Sequence, residues 1–338
     1  MTVMHTPFHT VKARDPKAKR DIFPAGMPSV ALHLPTGEVE AAVAYARAEK
    51  STATRRAYRT DFEIFRIWCE ARRTNALPAV PETVAAFLGA EADRGLRPST
   101  VGRRLAAIRY AHKLAGLPIP TDDEVVRATT RGIRRSLGAA PVKKAPATAD
   151  KVMAMASMVG ERLTSVRDRA LLLFGFASAM LRSELSALDV GDIEETTDGL
   201  RVTIRRSKCD QERLGEMIAV PRGNVACPVA ALKAWLEAAG ITPGPVFRPI
   251  AKGGHVQDTR LTDRSIANVV KAHAERIGLD PKEFSGHSLR SGFLTSAAAR
   301  GASIFRMADQ SRHRSMDVLR GYVRSAELFR DHPGTDLL

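Results

Sequence analysis

The stretch LRVTIRRSKCDQERLGEMIAVP, residues 200–221, decides the architecture of the second half of the chain. Leu200, Val202 and Ile204 alternate with Arg201, Thr203 and Arg205, the period of a strand with one buried face. SKCDQERLGE (207–216) is polar and turn-like, and MIAVP (217–221) reads as the return strand. The sequence around this hairpin is helical. RDRALLLFGFASAM (167–180) is an apolar helix, and from about Pro228 to the end the pattern is again mostly helical. The expectation is a small antiparallel sheet inside a helical body, an α+β unit.

The first half has no strand signal. From Gly37 to about Arg135, apolar positions recur at helical spacing, as in Tyr58, Phe62, Phe65 and Cys69, and again in Val101, Leu105, Ile108 and His112. The second set begins behind Pro98-Ser99-Thr100, a suitable helix start. Tyr45, Tyr58 and Tyr110 read as packing residues. The interleaved Arg55, Arg56, Arg59, Arg103, Arg104 and Arg109 face away from these stripes, either as a solvated basic face or as contacts to a polyanion. GAAPVKKAPATAD (138–150) reads as an extended interdomain linker, and its Lys143 and Lys144 join these arginines as candidate contacts to a polyanion. A length of 338 residues fits two domains rather than one core. The expected division is an arm over 1–37, a helical domain over 38–137, the linker over 138–150 and the α+β domain over 151–338.

The net charge of +15 and pI near 10.2 call for a polyanionic partner, with the cations spread over many helical segments rather than gathered in one tail. Three cysteines, Cys69, Cys209 and Cys227, are far apart and have no metal spacing, which suits reduced thiols in a cytoplasmic protein. No apolar run approaches the roughly 20 residues that span a bilayer, and the basic Met1–Arg20 segment lacks the apolar stretch of a signal peptide.

Chemistry concentrates in the second half. GHSLRSG (286–292) sets His287 and Arg290 on one helical turn, where an imidazole and a planar guanidinium are able to grip one phosphodiester. QSRHRSMDVLRGYVRS (310–325) holds His313 and then Tyr322, flanked by Arg320 and Arg324, a setting expected to favour phenolate character. Lys208, just beyond the first strand, is placed to donate a proton to a departing alkoxide. Each feature alone has a plainer explanation: a solvated pair, a structural tyrosine, a surface lysine.

Together with GFASAMLRSELSALDVGDI (175–193) and STVGRRLAAIRYAHKLAG (99–116), these segments resemble the tyrosine recombinases, the phage integrase family, in order and spacing from about residue 40 to the end. The resemblance implies a SAM-like, core-binding helical domain and a catalytic domain closing around duplex DNA. It implies Tyr322 as the nucleophile forming a 3′-phosphotyrosyl link, Lys208 as general acid for the 5′-oxygen, Arg290 as phosphate clamp, and His287 and His313 as hydrogen-bonding or proton-shuttling groups. It also implies no metal or nucleotide cofactor, a double-stranded recombination site as partner, and a homo-tetramer on paired sites. There the tail SAELFRDHPGTDLL (325–338), with Leu328, Phe329, Leu337 and Leu338, docks on a neighbour or, in the plainer alternative, on its own domain.

One position departs from the family pattern. Three residues before Glu184, where the family carries its first catalytic arginine, this chain has Leu181, and Arg182 stands one residue late. A one-residue shift on a helix turns a side chain by about 100°. Either the local backbone brings Arg182 into the gap, or cleavage is severely reduced, and the second is the expectation. Three classes follow: a site-specific recombinase with impaired cleavage, a cleavage-deficient DNA-binding protein of recombinase origin, and a type IB topoisomerase-like enzyme.

Overall fold

The computed structural model describes residues 37, 45, 49–138, 144–158, 160, 162–205, 215–313 and 315–326, with side chains through Val323 in the last helix. The expected arm, Lys143, Lys208, Cys209 and the tail beyond residue 326 lie outside the described residues. Contacts divide the chain into two units, Met1–Val142 and Lys143–Leu338.

In the first unit α1 (Thr52–Glu70) starts at Ser51, whose Oγ accepts the Thr54 N–H at 3.2 Å. Helices α2 (Pro81–Asp93) and α3 (Pro98–Leu114) both open on proline, which has no N–H to leave unpaired in the first turn. Helix α4 (Glu124–Leu137) is capped by Asp123. Phe62, Phe65 and Cys69 meet Phe87, Leu88, Val101 and Ile108 in one core, with the Phe65 and Phe87 rings 5.0 Å apart. Tyr58 and Tyr110 pack ring on ring at 5.4 Å, but Tyr45 is 80% exposed and is not a packing residue.

Arg104 requires a larger correction. The helical pattern placed it outside, yet it is buried, its guanidinium on Glu91 and its Nε 4.0 Å from Asp61. Two buried carboxylates demand a cation, and α3 supplies it. His112 is equally internal. Its Nδ1 donates to the Ile108 carbonyl and its Nε2 accepts the Ala79 N–H, so burial holds the ring neutral and its pKa low.

In the second unit α5 (Ala149–Ser157) and α6 (Leu163–Ala177) pack together. Helix α6 starts four residues before the expected Arg167 and stops short of Met180, because Ala179 takes a left-handed φ of 50° that ends the helical path. After α7 (Arg182–Ala187) comes a three-stranded antiparallel sheet in the order β1 (Ile193–Glu195), β2 (Gly199–Ile204), β3 (Glu216–Pro221). Leu200, Val202 and Ile204 are buried, and Val202 faces Ile218 across the expected hairpin. The third strand, β1, pairs Ile193 with Val202 and was not anticipated.

Helices α8 (Pro228–Ala238), α9 (Asp263–Arg276), α10 (Ser288–Ala299), α11 (Ile304–Ser311) and α12 (Met316–Ala326) complete the unit. Its main core gathers Leu171, Phe174, Trp235, Phe247 and Leu289, and Trp235 donates to the Val246 carbonyl at 2.8 Å.

The carboxy-terminal part of the expected linker belongs to this unit. Ala145 donates to Glu283 O at 2.8 Å and Ala147 to Ser288 O at 2.9 Å, and Ala147 is fully buried. Gly292 permits that approach, since a Cβ there would sit 1.7 Å from the Ala147 oxygen. Small residues that look like linker composition are here a fit to α10.

Candidate active site

The site grows from the first turn of α10. His287 is the residue before the helix, its N–H donated to Ser285 Oγ at 3.2 Å, and Arg290 is the third residue within it. Arg290 is 3% exposed. Its Nη1 donates to the Ala179 carbonyl at 2.8 Å and its Nη2 to His313 Nδ1 at 3.2 Å. The left-handed turn at Ala179 therefore has a use, as it accompanies a carbonyl turned to the guanidinium instead of into helix α6. GHSLRSG and the segment ahead of Leu181 are thus brought together.

Arginine only donates, so the contact with Arg290 makes His313 Nδ1 an acceptor and puts the ring proton on Nε2. Ser311 Oγ, 2.7 Å away, borders the same nitrogen. Burial, followed by Arg290, His287 and Arg312, pushes the His313 pKa down to about 4. His287 reaches solvent at the edge of the site, and desolvation by the protein packed around it, with Arg290, also lowers its pKa. Both imidazoles are neutral at pH 7, one of them with its N–H donor fixed.

Tyr322 is half-buried on α12 against Leu294, Ala298, Met307 and Leu319. Burial raises its pKa, and Arg290 offsets this only in part. The phenolate expected from the flanking arginines is therefore corrected. Arg320 is exposed and pairs with Asp317 at 3.2 Å, and the Arg324 side chain lies outside the described residues. Sequence neighbours on a helix point in different directions, and Arg320 is turned to Asp317.

Arg182 takes a separate course. Its stem lies against Gly286, where an added Cβ would meet the Arg182 Cβ and Cδ at 3.0 Å. Its Nε is 3.3 Å from Asp263 Oδ2, with the side chain 49% exposed. Leu181, half-buried, precedes α7 and donates its N–H to Glu184 Oε2 at 2.7 Å.

The sequence reading missed Arg312. It has a left-handed φ of 57°, and its guanidinium is almost fully buried between Glu184 and Glu216. A single arginine before His313 carried no signal of this, because its partners lie far away in the chain.

The arginines proposed for polyanion contact in the first unit are unequal. Arg56 is exposed. Arg55 and Arg59 are half-buried on α1, with Arg55 3.4 Å from Thr52 Oγ1. Arg103 is bound through two hydrogen bonds to Asp61, and Arg109 lies on Asp122 and Thr121. In the second unit exposed Lys144 donates to the Lys282 carbonyl. Among the described residues no cluster of His, Cys, Asp and Glu is arranged to hold a metal ion, and no helix is long and apolar enough to cross a membrane.

The model of the phage integrase family matches residues 147–328, more than half of the chain and all of the site described above. The chain belongs to this family, the tyrosine recombinases. The recombinase is 38% identical over 294 residues to an integrase/recombinase XerD homologue of Selenomonas ruminantium, covering 85% of this chain and 86% of the relative. Its fold resembles that of a Tn1549 transposon integrase in complex with transposon right-end DNA, at 14% identity and a TM-score of 0.57 over 86% of this chain and 97% of that one. It also resembles a lambda integrase dimer bound to a COC′ core site, at 16% identity and a TM-score of 0.56 over 84% and 93% of the two chains. At these identities the likeness is one of fold, and it extends to the mostly helical architecture with its small antiparallel sheet.

Proposed function

We propose that this recombinase is a site-specific DNA strand transferase whose cleavage step is severely slowed by Leu181. The observation that carries the reading is a contrast around Ala179. Arg290 is joined to the Ala179 carbonyl and to His313, while Arg182, the first residue of α7, is turned to Asp263.

In the step proposed, the Tyr322 oxygen attacks a backbone phosphorus, the P–O5′ bond breaks, and a 3′-phosphotyrosyl link forms. Negative charge grows on the non-bridging oxygens, where fixed donors in a partly dry site act most strongly. Arg290 and the Nε2–H of His313 are suited to those oxygens. The phenol begins protonated, burial raises its pKa further above the ordinary value, and neutral His287 is the acceptor for its proton. Lys208 supplies a proton to the departing 5′-oxygen. A second strand's 5′-hydroxyl reverses the sequence, so none of these steps requires a cofactor. Arg182, held at the surface, does not replace an arginine at position 181. Losing one such donor typically costs on the order of 10² to 10³ in rate.

Leu181 also favours a second reading, a DNA-site-binding protein disarmed for cutting. Trapping on a nicked duplex that carries the recombination site separates the two. The expected result is a faint covalent protein–DNA band that vanishes in Tyr322→Phe. A clear gel shift without any band supports the disarmed protein, and a band that persists in Tyr322→Phe overturns the assignment of the nucleophile.

The same reading extends to assembly as a tetramer on paired sites, with the apolar residues Leu328, Phe329, Leu337 and Leu338 docking on a neighbouring protomer. Deleting the residues after Ser325 is expected to weaken cooperative binding to two-site DNA, and unchanged cooperativity would sink it.

A further inference from the structure

Three segments of the second unit meet at one buried cation. Arg312 closes α11 in a left-handed conformation, φ 57° and ψ 43°, which a side chain with a Cβ adopts only when its surroundings hold it there. Those surroundings are visible. The side chain is 3% exposed, its Nη2 donates to Glu184 Oε2, its Nε lies 3.3 Å from Glu216 Oε2, and its Nη1 donates to the Gln310 carbonyl at 3.1 Å.

Each partner belongs to a different part of the site. Glu184 Oε2 also accepts the Leu181 N–H at 2.7 Å, so the carboxylate that holds Arg312 also holds the turn leading into α7. Glu216 is the first residue of β3, which pairs with β2, and Lys208 falls in the sequence between these two strands. Arg312 is itself bonded in sequence to His313, whose Nδ1 receives Arg290. A second link runs in parallel, for Gln310 Nε2 donates to Ala177 O at 3.1 Å and to Ala219 O at 2.9 Å, joining the end of α11 to the end of α6 and to β3. Arg312 and Glu184 are both buried, so separating them strands a charge in a low-dielectric setting, while the half-exposed Glu216 tethers the same guanidinium to β3.

We propose that Arg312 is a positioning residue for strand transfer: its ion pairs with Glu184 and Glu216 lock the His313 loop, the Leu181 turn and the start of β3 into one rigid unit. It touches none of the reacting atoms and acts by fixing where His313 meets Arg290. The proposal rests on the reading of Arg290 and His313 as the phosphate-binding pair.

The test compares Arg312→Gln and Arg312→Lys in the full chain, both with Leu181 retained and with Leu181→Arg. Three quantities are measured: affinity for the recombination-site duplex, the single-turnover rate of covalent trapping on a nicked substrate below the melting temperature of every variant, and the NMR titration of the His313 ring. The expected result for Arg312→Gln is a rate about 10- to 100-fold lower, as for a small misplacement of a catalytic group, with DNA affinity within about threefold. Arg312→Lys, which keeps the cation, is expected to recover most of the rate. The His313 titration shifts in Arg312→Gln, and that of His112 in the first unit stays put.

Unchanged trapping in Arg312→Gln, or a loss that Arg312→Lys does not relieve at all, overturns the proposal. If neither background cleaves, the NMR arm decides, and an unmoved His313 titration overturns it there. Trapping that survives Tyr322→Phe would defeat the reading of the site instead, a separate and recognisable outcome.

Discussion

The tripeptide Leu-Arg-Ser occurs twice in the second unit, at 181–183 and at 289–291, and the fold treats the two arginines in opposite ways. Both stand in the first turn of a helix. Arg290 is 3% exposed and bonded to a carbonyl and an imidazole, whereas the Arg182 side chain is 49% exposed and rests on Asp263. The difference lies in what each helix start faces. Arg290, two residues further into its helix, looks onto the carbonyl that accompanies the left-handed turn at Ala179. Arg182, the first residue of α7, leaves over Gly286 toward the start of α9. A guanidinium thus gains its role from the acceptors the fold sets around it, and identical local sequence does not provide them. The first unit makes the same point, since Arg104 is internal because Asp61 and Glu91 are.

The sharpest way to break this comparison is Leu181→Arg, which adds a cation one residue before Arg182. If Arg182 is spent on Asp263, the new arginine should raise the rate of covalent trapping by about 10² to 10³. DNA affinity should change only a few-fold, because many other cations share the phosphate contacts. An unchanged trapping rate would mean that Arg182 leaves Asp263 when DNA binds and already serves.

A second prediction concerns the imidazole that Arg290 holds. The folded pKa of His313, about 4, lies below the ordinary value of 6.5, so the unfolded chain binds the proton more readily. The contribution of the neutral ring is fully present above pH 6.5 and is lost as the pH falls from there towards 4. The slope for this one group is at most about 1.4 kcal/mol per pH unit. Urea melts of the parent and of His313→Gln should diverge in acid sensitivity only within that window. His112 and His287 are lowered as well and remain in both proteins, so the difference isolates His313. Parallel curves would mean that His313 is not held neutral by Arg290 and burial.

These contrasts also mark how far the sequence could be read. Period-two alternation announced β2, and MIAVP announced its partner, because a half-buried strand imposes that pattern on its own residues. The three residues of β1 are too few to show any period, and the sheet gained a strand unannounced. Pro98 marked the start of α3 through a purely local property, the missing N–H. The positions that misled are those settled by distant partners. Arg104 meets Asp61 across 43 positions of sequence and Arg312 meets Glu184 across 128, and no window along the chain contains such pairs. Tyr322 failed in the other direction: its flanking arginines are local and visible, but the burial that dominates its titration comes from packing on Leu294, Ala298, Met307 and Leu319. HSLRSG, HRS and Tyr322 could be singled out as a set, while the way they are held in place could not.

The smallest expected effect belongs to the exposed member of the pair. Arg182→Ala removes an ion pair whose side chains are 49% and 48% exposed, and such pairs contribute about 0–1 kcal/mol. The aliphatic stem against Gly286 adds some packing, so a loss near the upper end of that range is expected in a urea melt. Covalent trapping should fall no more than about threefold in either background, since a side chain held by Asp263 is not spent on the phosphate. Asp263→Asn is the companion change, as it releases Arg182 without removing it. If trapping rises in Asp263→Asn and that rise disappears in the double variant with Arg182→Ala, then Asp263 restrains a cation able to reach the site. The two Leu-Arg-Ser segments would then differ by one carboxylate on α9 rather than by the direction in which their helices point.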